Sequence, residues 1–137
     1  MGTGGIADRF ATDLLVLPEA DLAAVGSRTA AAAERFGAKF GIPHRHASYE
    51  ALVADSQVDV VYVATPNPMH RQNCLLCLEA GKHVLCEKPF AINAAEAEEM
   101  VTAAREKKLF LMEAMWSRFL PLMGRLRELL AREAIGE

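Results

Sequence analysis

Short apolar runs and amphipathic helical stretches alternate along these 137 residues, and the alternation predicts a doubly wound α/β domain on a parallel sheet. Two local observations support that class. Residues 58–64 and 83–86 are short runs whose apolar, β-branched content suits strands buried on both faces. Both end abruptly, in Thr65-Pro66-Asn67-Pro68 and in Glu87-Lys88-Pro89, as parallel strands do where their carboxyl ends open onto a crevice.

The length suits one ordinary domain with a real core. With 52% apolar residues, 24% charged residues and a net charge of -3, the chain reads as soluble and globular. It has no basic stripe for a nucleic-acid partner. No apolar run approaches the ~18 residues of a membrane span. The amino terminus lacks the charged and apolar regions of a secretion signal, and Ile6 stands where a myristoylation motif needs Ser or Thr. Three cysteines, an odd number without such a signal, point to reduced thiols and a cytoplasmic location. Cys74 and Cys77 form a C-x-x-C, but inside an apolar helical segment without a second pair, so they read as small packed hydrophobes.

In chain order, Gly2-Thr3-Gly4-Gly5-Ile6-Ala7 is a glycine loop opening a helix, with Ile6, Phe10, Leu14 and Leu17 on one face. Such a loop lets a pyrophosphate approach the backbone and sit on the helix amino terminus. A strand should precede it, and Met1 stands in that strand's last position. Residues 22–26 read as the next strand, closed by Ser27-Arg28. Arg28 lies about twenty residues past the glycines, where a dinucleotide-binding unit meets the ribose; an Arg there favours NADP over NAD.

Thr29 caps a helix with Ala33, Phe36 and Phe40 on one face, stopped by Gly41. An extended piece at 44–47 and a brief helix at 48–54 follow. His44 and His46 alternate on a strand edge without a third ligand nearby, so they read as surface residues and no metal site is expected. A helix over 69–80 ends at Gly81, and Asn93 with Glu96 has the spacing of a capping box. The stripe behind it is Ala97, Met100, Val101 and Ala104. Residues 109–112 form another buried strand, and a last helix from Pro121 turns Leu122, Leu126, Leu129 and Leu130 inward.

Four ordered motifs then carry a resemblance: the glycine loop running to Phe10, Thr65-Pro66-Asn67-Pro-x-His70, Cys86-Glu87-Lys88-Pro89, and Glu113-Ala-x-Trp116-x-Arg118-Phe. Together they resemble the NAD(P)-dependent oxidoreductases related to glucose-fructose oxidoreductase and inositol dehydrogenase, most closely their dihydrodiol and D-xylose dehydrogenase branch. The resemblance covers essentially the whole chain. It implies a Rossmann domain over 1–120, lacking its first strand, with residues 121–137 leading into an absent α/β substrate domain that carries the subunit contacts of a homo-oligomer.

The resemblance assigns Lys88 to catalysis beside the nicotinamide and the substrate hydroxyl. It assigns Gly2, Thr3, Gly4, Gly5, Ile6, Ser27, Arg28, Thr65, Pro66, Asn67, His70, Glu87 and Lys88 to the cofactor, and Trp116 and Arg118 to the border of a sugar, polyol or diol pocket. Met1 is then expected to be an internal methionine, leaving the inner strand edges unpaired and the isolated chain marginal and inactive. A lysine beside a cationic nicotinamide in a partly dry crevice has its charged form disfavoured, which suits it to acid–base work. The rival reading is a nucleotide-binding or interaction module that keeps the fold without chemistry.

Overall fold

In the computed structural model, which describes residues 1–134 and 136, local signals start and stop most helices where the sequence predicts. The side chains of Thr29, Ser48 and Asn93 accept the N–H groups of Ala32, Ala51 and Glu96, and so open helices α2 (Ala30–Phe40), α3 (Tyr49–Val53) and α5 (Ala94–Lys107). The box at Asn93 is offset, because the Glu96 carboxylate accepts from Ile92 N–H (3.1 Å) rather than from the cap residue. Gly41 ends α2 in the left-handed conformation at φ 67. The remaining helices are α1 (Gly5–Leu14), α4 (His70–Glu79) and α6 (Pro121–Ala131), with single 3₁₀ turns at Asn67–Met69 and Trp116–Phe119.

The strands are β1 (Ala24–Gly26), β2 (His44–His46), β3 (Val60–Val63), β4 (His83–Cys86) and β5 (Leu111–Glu113). Every pairing is parallel, in two groups: β1 with β2, and β3–β4–β5 in that order. Met1 and Gly2 join the groups. The Met1 amino group donates to Tyr62 O (2.8 Å) and Met1 O accepts from Ala64 N–H (3.0 Å), while Gly2 N–H donates to Gly26 O (3.0 Å). Those are ladder bonds of a strand lying between β1 and β3. The whole therefore reads β2, β1, the Met1–Gly2 stub, β3, β4, β5, the doubly wound order 3-2-1-4-5-6 with its first strand reduced to an end. Ahead of Met1 the strands part around an apolar-walled groove of about 600 Å³, bordered by Phe10, Val25, Val60 and Tyr62.

The core lies on the other face of β3 and β4. Val61, Val63, Val84 and Cys86 pack against Cys74, Cys77 and Leu78 of α4 and Met100 of α5, all essentially inaccessible to solvent. Burial pushes the Cys77 thiol up to about 12, so it carries no reactive thiolate, and the C-x-x-C is packing. Three expectations are corrected. The buried residues of α1 are Ala7 and Ala11; Ile6 is exposed on the first turn, and Leu17 is exposed because the helix ends at Leu14. The fifth strand starts two residues later than expected, leaving Phe110 half exposed. Leu122, Leu126, Leu129 and Leu130 face solvent, since α6 leaves the sheet and among the described residues meets no second layer. Among the described residues no helix is long and apolar enough to cross a membrane.

Burial pushes the Met1 α-amino group down from 8.0 to about 6. The unfolded chain thus binds a proton that the folded chain resists, so stability rises as pH climbs from about 6 to 8, by up to about 2–3 kcal/mol. Joining a few β-branched residues ahead of Met1 abolishes that pH step and raises the denaturant midpoint. An unchanged midpoint would show that the groove does not accept a strand.

Candidate active site

The carboxyl ends of the strands carry the motifs. Gly2 lies at φ +90, and a Cβ there would stand 2.8 Å from Ala64 O, so only glycine lets the loop rest on the end of β3. Gly4 and Gly5 border open space, and Gly4 enters α1 without a side-chain cap. The N–H groups of the first turn of α1 are therefore available to an anion at the positive end of the helix. This cradle fits the diphosphate of a dinucleotide. Thr3 Oγ1 lies 3.4 Å from Ser27 Oγ, which holds the loop beside the end of β1.

Two turns follow, and side chains lock them together. Asn67 Nδ2 donates to Pro89 O (2.7 Å). Buried His70 places Nδ1 2.9 Å from Pro89 O and Nε2 2.9 Å from Thr65 O, bridging the turns after β3 and β4. Asn73, buried in α4, donates to Thr65 Oγ1 (2.8 Å).

Glu87 is buried as well. Its carboxylate accepts the Tyr62 hydroxyl on one oxygen and the Lys88 N–H (3.1 Å) on the other. Burial, then the bond to Glu87, raises the Tyr62 hydroxyl above the ordinary tyrosine range, and Phe10 stacks on its ring at 3.8 Å between centroids. Glu113 accepts the Phe90 N–H (2.9 Å) from the far side. The backbone around Lys88 is thus braced from three strands while its side chain stands exposed. Lys88 thus presents an exposed amine from a backbone held in place at the carboxyl end of β4.

Residues 1–115 match the family model of the oxidoreductase family with an NAD-binding Rossmann fold. The chain belongs to this family. It is 50% identical over 139 residues to trans-1,2-dihydrobenzene-1,2-diol dehydrogenase of Mus musculus, covering 100% of this chain and 42% of that protein. It is 47% identical over 148 residues to D-xylose 1-dehydrogenase (NADP(+)) of Hypocrea jecorina, covering 99% and 38%. Among solved structures, the 3-ketoreductase KijD10 of Actinomadura kijaniata in complex with NADP superposes with TM-score 0.89 at 35% identity, over 99% of this chain and 44% of that one. The chain thus spans less than half the length of these relatives.

Within this oxidoreductase frame, the loop glycines, Thr3, Ser27, Thr65, Pro66, Asn67 and Lys88 gather at one end of the sheet. Arg28 borders a neighbouring cavity of about 560 Å³ together with Ser48, Tyr49 and Arg71. His70 and Glu87 sit inside the frame, their polar atoms turned to protein partners. Ile6 is exposed on the first turn of α1. Trp116 (69% exposed) and Arg118 lie on the turn after β5, which leaves the sheet beside Cys86 through the Ala114 N–H to Cys86 O bond (2.7 Å). Sequence reasoning passed over Tyr62 and Asn73, and named Glu113 only within a motif, with no role. The available signal at Tyr62 was a polar group inside an apolar run; Asn73, which follows His70-Arg71-Gln72, offered none.

The expectation that His44 and His46 lack a third ligating neighbour does not hold. Asp55 stands 2.6 Å and 2.9 Å from their rings, brought there by α3, which sequence spacing along a strand does not reveal.

Replacing Tyr62 by Phe keeps the stack on Phe10 and removes one donor from the buried Glu87 carboxylate. The expected loss is about 1–3 kcal/mol of stability, measured by denaturant unfolding. A loss well below that range would mean that water takes over the vacated bond.

Proposed function

We propose that this chain is the cofactor-binding part of an NADP-dependent dehydrogenase acting on a hydroxyl of a sugar, polyol or cyclic diol. The observation that carries the reading is the exposed Lys88 side chain on its braced turn, next to the Thr65-Pro66-Asn67 turn and the glycine cradle. The nicotinamide supplies the hydride chemistry. The N–H groups at Gly4, Gly5 and Ile6 hold the diphosphate, with Gly2 allowing the close approach and Thr3 and Ser27 steadying the loop. Thr65, Pro66 and Asn67 line the nicotinamide pocket, and Lys88 Nζ gives or takes the proton of the substrate hydroxyl. His70 and Glu87 position these groups, and Trp116 and Arg118 border the substrate.

The choice of NADP rests on Arg28 beside the cavity at the end of β1, where a guanidinium suits a 2'-phosphate. The NADP(+) in the name of the Hypocrea jecorina relative and the NADP in the KijD10 complex support it. Residues 121–137 lead into a further domain that completes the pocket and carries the contacts of a homo-oligomer; the exposed apolar side chains Trp116, Phe119, Leu122 and Leu126 are the surface it covers. The full protein works in the cytoplasm on small molecules, without nucleic acid or membrane partners.

Titration of the chain followed by nicotinamide fluorescence should show NADPH binding more tightly than NADH, and Arg28→Ala should remove that preference. No change with either cofactor leaves the rival reading of a fold kept without chemistry. In the protein extended to the length of its relatives, Lys88→Ala should lower kcat about 10²–10⁴-fold while NADPH affinity stays within a few-fold. Equal turnover by the variant eliminates the role given to Lys88.

A further inference from the structure

Edge strand β2 and the turn ahead of β3 bring three potential metal ligands together. His44 and His46 alternate with Arg45, so both imidazoles leave β2 on one face. The Arg45 side chain crosses Gly37 of α2 and donates to Ile42 O (2.8 Å) and to the Glu34 carboxylate. Asp55, just beyond α3, sets Oδ2 2.6 Å from His44 Nδ1 and 2.9 Å from His46 Nε2. One ligand atom from each residue lies within 4.8 Å of the other two.

The carboxylate is built in rather than draped on the surface. Its side chain is 8% exposed, and Oδ1 accepts the Gln57 N–H (2.9 Å), which fixes the direction of Oδ2. The Lys82 ammonium is held on the backbone oxygens of Asp55 and Val58, at 2.9 Å and 2.7 Å. His44 is 42% exposed and His46 23%, so the solvent side stays open to a water ligand.

We propose that His44, His46 and Asp55 form a binding site for a divalent transition metal, with zinc the best match. Two imidazole nitrogens and one carboxylate oxygen suit zinc, and water completes its tetrahedron. With bonds of ~2.0–2.2 Å, ligand atoms in such a tetrahedron stand roughly 3.3–3.5 Å apart. The two contacts of Asp55 Oδ2 lengthen by under about an ångström to reach that spacing, and the two ring nitrogens come to it from within 4.8 Å of one another. Each ring then presents its inner nitrogen to the metal and keeps its remaining proton on the other.

Asp55 lies at the amino ends of β3 and β4, since Lys82 precedes β4 and bonds to Asp55 itself, while His46 closes β2 at its carboxyl end, opposite Gly26. The metal fastens edge strand β2, which pairs on one side only, to the turn that leads into β3.

Titration of the metal-free 137-residue chain with Co²⁺ tests this. One equivalent should bind with the weak visible bands of nitrogen–oxygen ligation, and Zn²⁺ should displace it and raise the Tm. His46→Gln and Asp55→Asn should weaken binding by at least the ~10–100-fold that loss of an outer-shell partner typically costs. Far-UV circular dichroism checks that both fold; His44→Gln, at the most exposed of the three, replaces either that does not. Absence of saturable absorption, equal binding by the variants, or an intense thiolate charge-transfer band from Cys74 and Cys77 overturns the site.

Discussion

Three backbone hydrogen bonds made by Met1 and Gly2 hold this sheet together. Without them β1–β2 and β3–β4–β5 are two separate parallel ribbons, since among the described residues nothing else in the ladder order links β1 to β3. Parallel sheets rely on cover from helices on both faces and on continuous backbone pairing, and here the pairing narrows to two residues. The same two residues also form the floor of the glycine cradle. Gly2 is pressed so closely against Ala64 O that backbone joining the ribbons and backbone approached by a ligand are one piece of chain.

That economy extends to the strand ends. Thr65 and Pro89 carbonyls converge on one buried imidazole, and the Glu87 carboxylate ties Tyr62 of β3 to the Lys88 backbone after β4. Buried polar groups of this kind stabilise only when every partner is present, and among the described residues no buried side-chain nitrogen or oxygen lacks one. The frame therefore holds the Lys88 backbone from three strands and leaves the Lys88 side chain exposed. Residues such as His70 and Glu87, which a motif groups with the ligand contacts, act here through the backbone they hold.

Much of the fold was legible from the sequence because its signals are local. Thr29 and Asn93 cap the helices they precede, Gly41 stops one, and the apolar run ending at Thr65-Pro66 is a strand, as expected; Ser48, read as the first residue of its helix, caps it. The failures share a cause: burial depends on what packs opposite, which periodicity does not report. Leu122 to Leu130 trace an amphipathic stripe in α6, yet no layer faces them. Ile6, Phe10 and Leu17 have helical spacing, yet α1 ends at Leu14, short of Leu17, and Ile6 is exposed on its first turn.

By itself, then, the sequence determined the helix boundaries, the parallel strands, the family through four ordered motifs, and the lysine at a strand end. Those features depend on residues within a few positions of one another, or on motif order along the chain. Only the tertiary structure decided that His70 and Glu87 are internal braces, that Tyr62 and Asn73 belong to the site, and that Asp55 meets both histidines of β2. Each of those outcomes turns on a hydrogen bond between residues from different elements, 5 to 25 positions apart. Their meeting is set by how helices return the chain between parallel strands, which no local spacing encodes.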